Sequence, residues 1–145
     1  DIIRNEIQLS IDTKKKLIDD AFLIDVLSIS EKCILALRSG GKILFCGNGG
    51  SFADAQHLSA EFTSRFKFDR PGLPSLALGT NSSAMTAIGN DYGYENVFAR
   101  EIEAIATRAD LVIAITTSGN SGNILKALEA ARVNDVAAVV FTGAG

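Results

Sequence analysis

Asp54, His57, Glu61 and Arg65 are the titratable side chains whose spacing could do chemistry. His57, Glu61 and Arg65 stand four apart, so in a helix they project from one face, with Asp54 a turn earlier. His57 is the sole histidine of the chain. An imidazole and a carboxylate at this spacing could supply two ligands of a zinc site, or a general acid/base pair. By itself the pattern is weak: surface Glu–Arg pairs are common on helices, and a lone histidine is more often structural. Leu58 and Phe62 occupy the neighbouring stripe, which is expected to face a core.

Two loops add a second kind of chemistry. Gly47-Asn48-Gly49-Gly50-Ser51 follows a short apolar run and leads directly into a helical pattern. Thr116-Thr117-Ser118-Gly119-Asn120-Ser121 does the same further on. Glycines let a backbone turn tightly beside a ligand, and the free N–H groups of a helix start favour an anion. Ser51, Thr116, Thr117, Ser118 and Ser121 supply hydroxyl donors without charge. One such loop could equally be turn glycines with N-capping hydroxyls; two at matching positions favour phosphate. No Gly-Lys-Ser/Thr follows either turn, which excludes a Walker loop. The dinucleotide fingerprint fails too, because Phe52 stands where its last glycine belongs. A phosphorylated small molecule fits better.

The elements that must position these groups alternate. Residues 2–38 repeat their apolar side chains at helical spacing and read as two helices broken near Asp19-Asp20, the second stopped by Gly40-Gly41. Strands are expected over 42–46, 75–78, 111–115 and 137–141. Helices are expected over 52–66, 82–89, 96–107 and 121–133, with Asn90-Asp91-Tyr92-Gly93 as a turn. Strands alternating with helices imply an α/β fold with a parallel sheet covered on both faces, whose ligands bind at the strands' carboxyl ends.

With 145 residues, 47% of them hydrophobic and 21% charged, the chain makes effectively one globular domain. A net charge of −3 argues against a nucleic-acid surface. Lys14-Lys15-Lys16, the one basic run, reads as a solvated helix face. Cys33 and Cys46 form no CxxC pair and suit small core positions. No apolar stretch reaches membrane-spanning length and no signal-peptide pattern opens the chain, so a cytoplasmic protein is expected. Starting at Asp1 and stopping at Gly145 just after a strand, the chain is expected to be incomplete at both ends.

Read together, Cys46-Gly47-Asn48-Gly49-Gly50-Ser51-x-x-Asp54-Ala55-x-His57, then Glu61 and Arg65, resemble the phosphoheptose isomerases of the sugar-isomerase (SIS) domain family. So do Arg70-Pro71-Gly72, Gly89-Asn90-Asp91-Tyr92-Gly93 and Thr117-Ser118-Gly119-Asn120-Ser121, in the family's order and essentially end to end. The resemblance implies a three-layer αβα sandwich with a parallel five-stranded sheet, assembled as a homotetramer with sites between subunits. Residues 1–39 would be N-terminal helices serving assembly, and 40–145 the sugar-phosphate domain. The implied reaction converts sedoheptulose 7-phosphate to D-glycero-D-manno-heptose 7-phosphate through an enediolate, toward ADP-heptose and lipopolysaccharide. By position Glu61 would be an acid/base and, with His57, a ligand of one zinc ion per subunit. Asn48, Gly49, Gly50, Asn90 and Asp91 would line the sugar site; Thr116, Thr117, Ser118 and Ser121 would hold the phosphate, with Ser51 and Arg65 close by. Relatives often have Ser-Thr-Ser where this chain has Thr116-Thr117-Ser118, a change that keeps the hydroxyl. They also continue past the last strand with another strand and a helix carrying a Gln and a His, which complete the metal site and supply the second catalytic group. A non-catalytic SIS-domain regulator that binds a replication initiator protein is the alternative. Its branch lacks the glutamate matching Glu61, and the joint presence of Asp54, His57, Glu61 and Arg65 favours the enzyme. A hexose- or pentose-phosphate SIS domain is disfavoured by the Gly89–Gly93 segment.

Overall fold

A computed structural model describes residues 1–143 of the chain; Ala144 and Gly145, the last two of the expected sugar-phosphate domain, lie outside the described residues. Two compact units are present, one formed by residues 1–32 and one from Cys33 onward. The first contains helix α1 (Ile2–Lys16) and the start of α2 (Asp20–Arg38). Asp1 caps α1 by accepting the Ile3 N–H at 3.2 Å, and Lys14, Lys15 and Lys16 sit at its carbonyl end, where the helix dipole favours cations. No residue of α1 is buried, although Ile2, Ile3, Ile7, Leu9 and Ile11 repeat along it.

The second unit is an α/β layer structure. Its strands are β1 (Ile43–Gly47), β2 (Ser75–Ala77), β3 (Leu111–Thr116) and β4 (Ala137–Thr142). Between them run α3 (Gly50–Thr63), α4 (Ser82–Tyr92), a 3-10 turn (Tyr94–Asn96), α5 (Val97–Ile105) and α6 (Gly122–Val133). All pairings are parallel and the strand order is β2-β1-β3-β4. The family resemblance implied five strands; the described residues hold four, with β4 at one edge.

Alternation along the strands builds both layers at once, because successive side chains point to opposite faces. Leu44, Cys46, Val112 and Ala114 face one way, into a core with Val97, Phe98 and Ile102 of α5 and Ile124, Ala127 and Ala131 of α6. Ile43, Phe45, Leu111 and Ile113 face the other way, against Ala36 of α2 and Ala55 of α3, with Leu58 and Phe62 packed alongside. Cys46 is fully buried, which pushes its thiol up to about 12 and leaves it inert as a nucleophile; Cys33 is half-buried at the edge of the second core.

Two helix ends differ from the expected ones by three residues, each for a local reason. The pattern predicted a helix through Phe66, but α3 stops at Thr63. Arg70 donates from its guanidinium to the carbonyls of Glu61 and Phe62 at 2.7 and 2.9 Å, and the Leu73 N–H also bonds Phe62 O. A returning segment thus takes the carbonyls that a further turn would have used. Conversely, α4 runs on through Asn90, Asp91 and Tyr92, expected as a turn, and ends at Gly93, whose φ of +87° only glycine adopts readily.

Candidate functional site

β1 and β3 are adjacent, so the loops that follow them, Asn48–Gly49 and Thr117–Ser121, open side by side at the carboxyl end of the sheet. The chain leaves β1 for β2 on one side and reaches β3 on the other, which makes this the switch point where open α/β sheets leave a crevice. Gly47 must be glycine, because a Cβ there would stand 2.6 Å from the Ser51 carbonyl oxygen. Gly49, with φ +55°, is the residue before α3, and Gly50 and Ser51 form its first turn, whose N–H groups have no partner within the helix. In the second loop Gly119 has φ +68°, and Asn120 folds back on Ser118, its N–H donating to Ser118 Oγ at 3.3 Å and its amide to Ser118 O at 3.0 Å. Thr117 and Ser118 are exposed and Ser121 half-buried, whereas Thr116 is buried at the end of β3.

A reciprocal amide pair joins the two loops. Asn48 Nδ2 donates to Asn123 Oδ1 and Asn123 Nδ2 donates to Asn48 Oδ1, both at 2.8 Å. The Tyr94 hydroxyl donates to the same Asn48 oxygen at 3.2 Å. Neither Asn123 nor Tyr94 was expected at the site from sequence. Asn123 did leave a signal: an amide on the buried stripe of α6 beside Ile124 and Ala127, where a polar group must find a partner.

His57 and Glu61 form a separate group. The imidazole Nε2 lies 3.7 Å from Glu61 Oε1, with the imidazole largely exposed and the carboxylate partly shielded. Two donors on a tetrahedral zinc with bonds of about 2.0–2.2 Å stand about 3.4 Å apart, so nitrogen and oxygen here fit that ion in type and spacing. Among the described residues no third histidine, cysteine or carboxylate joins them. Glu61 opens onto an apolar hollow of about 370 Å³ lined by Leu58, Phe62, Phe66, Phe68, Arg70 and Leu73.

The structure corrects the expected stripe at Arg65. That residue lies beyond the end of α3 and is exposed, so it does not continue the helical face of His57 and Glu61. Asp54 stays on α3, exposed. Nor do Glu61 and the glycine loop of one chain converge. Gly50 and Glu61 are eleven positions apart on α3, which at 1.5 Å per residue is about 16 Å along the axis. Asn90 and Asp91 close the last turn of α4, both exposed, with Asn90 Nδ2 donating to Asp91 Oδ1 at 2.8 Å.

Comparison with known proteins places the family and the fold. The SIS domain family model matches residues 23–143. A phosphoheptose isomerase of Aneurinibacillus thermoaerophilus is 52% identical over 145 residues, covering 99% of this chain and 73% of that protein. One from Roseiflexus sp. (strain RS-1) is 51% identical over 140 residues, covering 97% and 71%. Among solved structures, a phosphoheptose isomerase from Francisella tularensis superposes with a TM-score of 0.93 at 34% identity, over 99% of this chain and 74% of that one. Another, from Neisseria gonorrhoeae, gives 0.83 at 38% identity, over 98% and 71%.

Proposed function

This chain belongs to the SIS-domain family and within it to the phosphoheptose isomerases, and from that premise we propose that it interconverts sedoheptulose 7-phosphate and D-glycero-D-manno-heptose 7-phosphate. The observation that carries the reading is the adjacency of β1 and β3, which sets a glycine loop and a hydroxyl loop on one crevice. Neutral hydroxyls of Thr117, Ser118 and Ser121, with the N–H groups at the starts of α3 and α6, suit a phosphate dianion. Asn48, Gly49, Gly50, Asn90 and Asp91 would take the sugar hydroxyls, with Ser51 and Arg65 close by. Thr116, being buried, would contribute through the backbone it ends. No observation favours the initiator-binding regulator.

Isomerisation moves a proton between C1 and C2 and a second between the two oxygens. Glu61 would carry the carbon-bound proton, its carboxylate being partly shielded by the apolar wall of Leu58, Phe62 and Phe66. His57 and Glu61 would hold a zinc ion, which when bound polarises the carbonyl and stabilises the developing oxyanion. The second catalytic group and the remaining zinc ligands would come from a histidine and a glutamine further along the polypeptide.

The 16 Å between Glu61 and its own glycine loop supports a site assembled from two copies, Glu61 of one serving the loops of another. The uncovered apolar residues of α1 suit the same assembly, taken here as a homotetramer. Among the described residues no helix is long and apolar enough to cross a membrane, in keeping with a cytoplasmic enzyme of lipopolysaccharide heptose synthesis.

The test is turnover of sedoheptulose 7-phosphate by the complete natural chain, with and without chelator. Turnover abolished by chelator and restored by zinc is expected. Absence of turnover with zinc supplied would overturn the reading and favour the regulator.

A further inference from the structure

We propose that Asn123 and Tyr94 are positioning residues that act through Asn48 to hold the glycine loop in register with the hydroxyl loop. The inference rests on the isomerase reading for its consequence in catalysis and on geometry alone for its mechanism. Three segments that are far apart in sequence meet at one carboxamide. Asn48 belongs to the loop after β1, Asn123 to the first turn of α6 just beyond Ser121, and Tyr94 to the turn that follows Asn90-Asp91. Each segment contains or adjoins residues expected to touch the substrate: Gly49 and Gly50, Ser121, and Asn90 and Asp91.

The chemistry of the contact makes it a register device. Each amide of the pair donates to and accepts from the other at 2.8 Å, an arrangement that a shift of either loop breaks twice over. Asn123 is only 4% exposed, so a broken pair would leave a buried amide without partners rather than hand it to water. The Tyr94 hydroxyl uses the second lone pair of Asn48 Oδ1 and ties in the turn after α4. Outside this trio, Lys126 Nζ reaches from α6 to Asn96 Oδ1 at 3.1 Å and Glu95 Oε1 at 3.6 Å, which keeps the turn against α6. The Asn48 carbonyl oxygen is thereby committed to protein partners. That oxygen serves to aim the backbone of Gly49 and Gly50, while the second Nδ2–H of Asn48 stays available to the sugar.

The experiment is a double-mutant cycle on the complete natural chain, with Tyr94→Phe, Asn123→Ala and the double variant. Kinetics with sedoheptulose 7-phosphate are read beside melting temperature and amide hydrogen exchange of residues 47–51. Tyr94→Phe removes one hydroxyl at an exposed position and should leave melting unchanged while lowering kcat/KM about 2–10-fold. Asn123→Ala should lower it about 10–100-fold, and the double variant should fall short of the product of the two, because both act on one oxygen. Exchange in residues 47–51 should quicken in every variant. Unchanged kcat/KM in Tyr94→Phe and Asn123→Ala, from an active parent, would overturn the inference, as would multiplicative effects. An inactive parent defeats the isomerase reading instead; exchange then decides the positioning role by itself, and unaltered exchange in residues 47–51 rejects it.

Discussion

The two ends of the sheet are built on opposite plans. At the amino end Gly41 packs so closely that a Cβ would stand 2.0 Å from the Ala109 carbonyl oxygen. Beside it the buried Asp110 carboxylate accepts from Lys42 N–H, Lys42 Nζ and Thr107 N–H, each at 2.7 Å, while Lys42 Nζ also donates to Ile105 O at 2.9 Å. Among the described residues no buried side-chain polar atom lacks a partner. At the carboxyl end Gly49, Gly50, Thr117 and Ser118 are exposed, and the Asn48–Asn123–Tyr94 trio joins the two loops. One end closes its hydrogen bonds within the chain; the other leaves hydroxyl and glycine positions exposed. Mutations at the two ends should therefore separate stability from activity.

Glu61→Gln carries the largest expected effect, a fall in turnover of about 10²–10⁴-fold with an unchanged melting temperature. A variant that melts early would mean that Glu61 also serves the fold. At the opposite end Asp110→Ala should cost about 2–4 kcal/mol in a urea titration, the figure held down because Lys42 keeps 29% of its side chain exposed. The folded fraction should keep its KM. A changed KM with little loss of stability would break the division between the ends.

The same carboxylate predicts a pH dependence. Burial alone would raise the Asp110 pKa, but the hydrogen bonds from Lys42 and Thr107 and the Lys42 charge outweigh it and hold the group below its ordinary value. A depressed folded pKa means stability that is present above the unfolded value, about 4, and lost as pH falls through the folded one. The urea midpoint should drop on acidification below about pH 4, and Asp110→Asn should flatten that drop. The smallest effect belongs to Ser118→Ala. Loss of one neutral donor should raise KM about 2–10-fold without shifting melting, and a Tm change would show that the Asn120–Ser118 turn matters more than the hydroxyl.

Much of this was legible along the chain. Apolar runs marked all four strands to within a residue or two, and the glycine and hydroxyl loops announced themselves by composition. Helix ends were less legible. The end of α3 depends on Arg70, which takes the Glu61 and Phe62 carbonyls from a segment beyond the helix, and no periodicity within the helix carries that information. Arg65 was consequently expected on a helical face that does not extend so far.

What the sequence by itself determined is therefore local: which stretches are strand or helix, where the backbone can turn on glycine, and which side chains carry titratable or hydroxyl chemistry. Composition and spacing act over a few residues, and those are the ranges at which they speak. Only the tertiary structure decided that β3 lies beside β1 and that Asn48 meets Asn123 across 75 positions. Strand order and side-chain pairing between distant segments depend on how whole layers cover one another, a balance of burial and hydrogen bonding over the entire core.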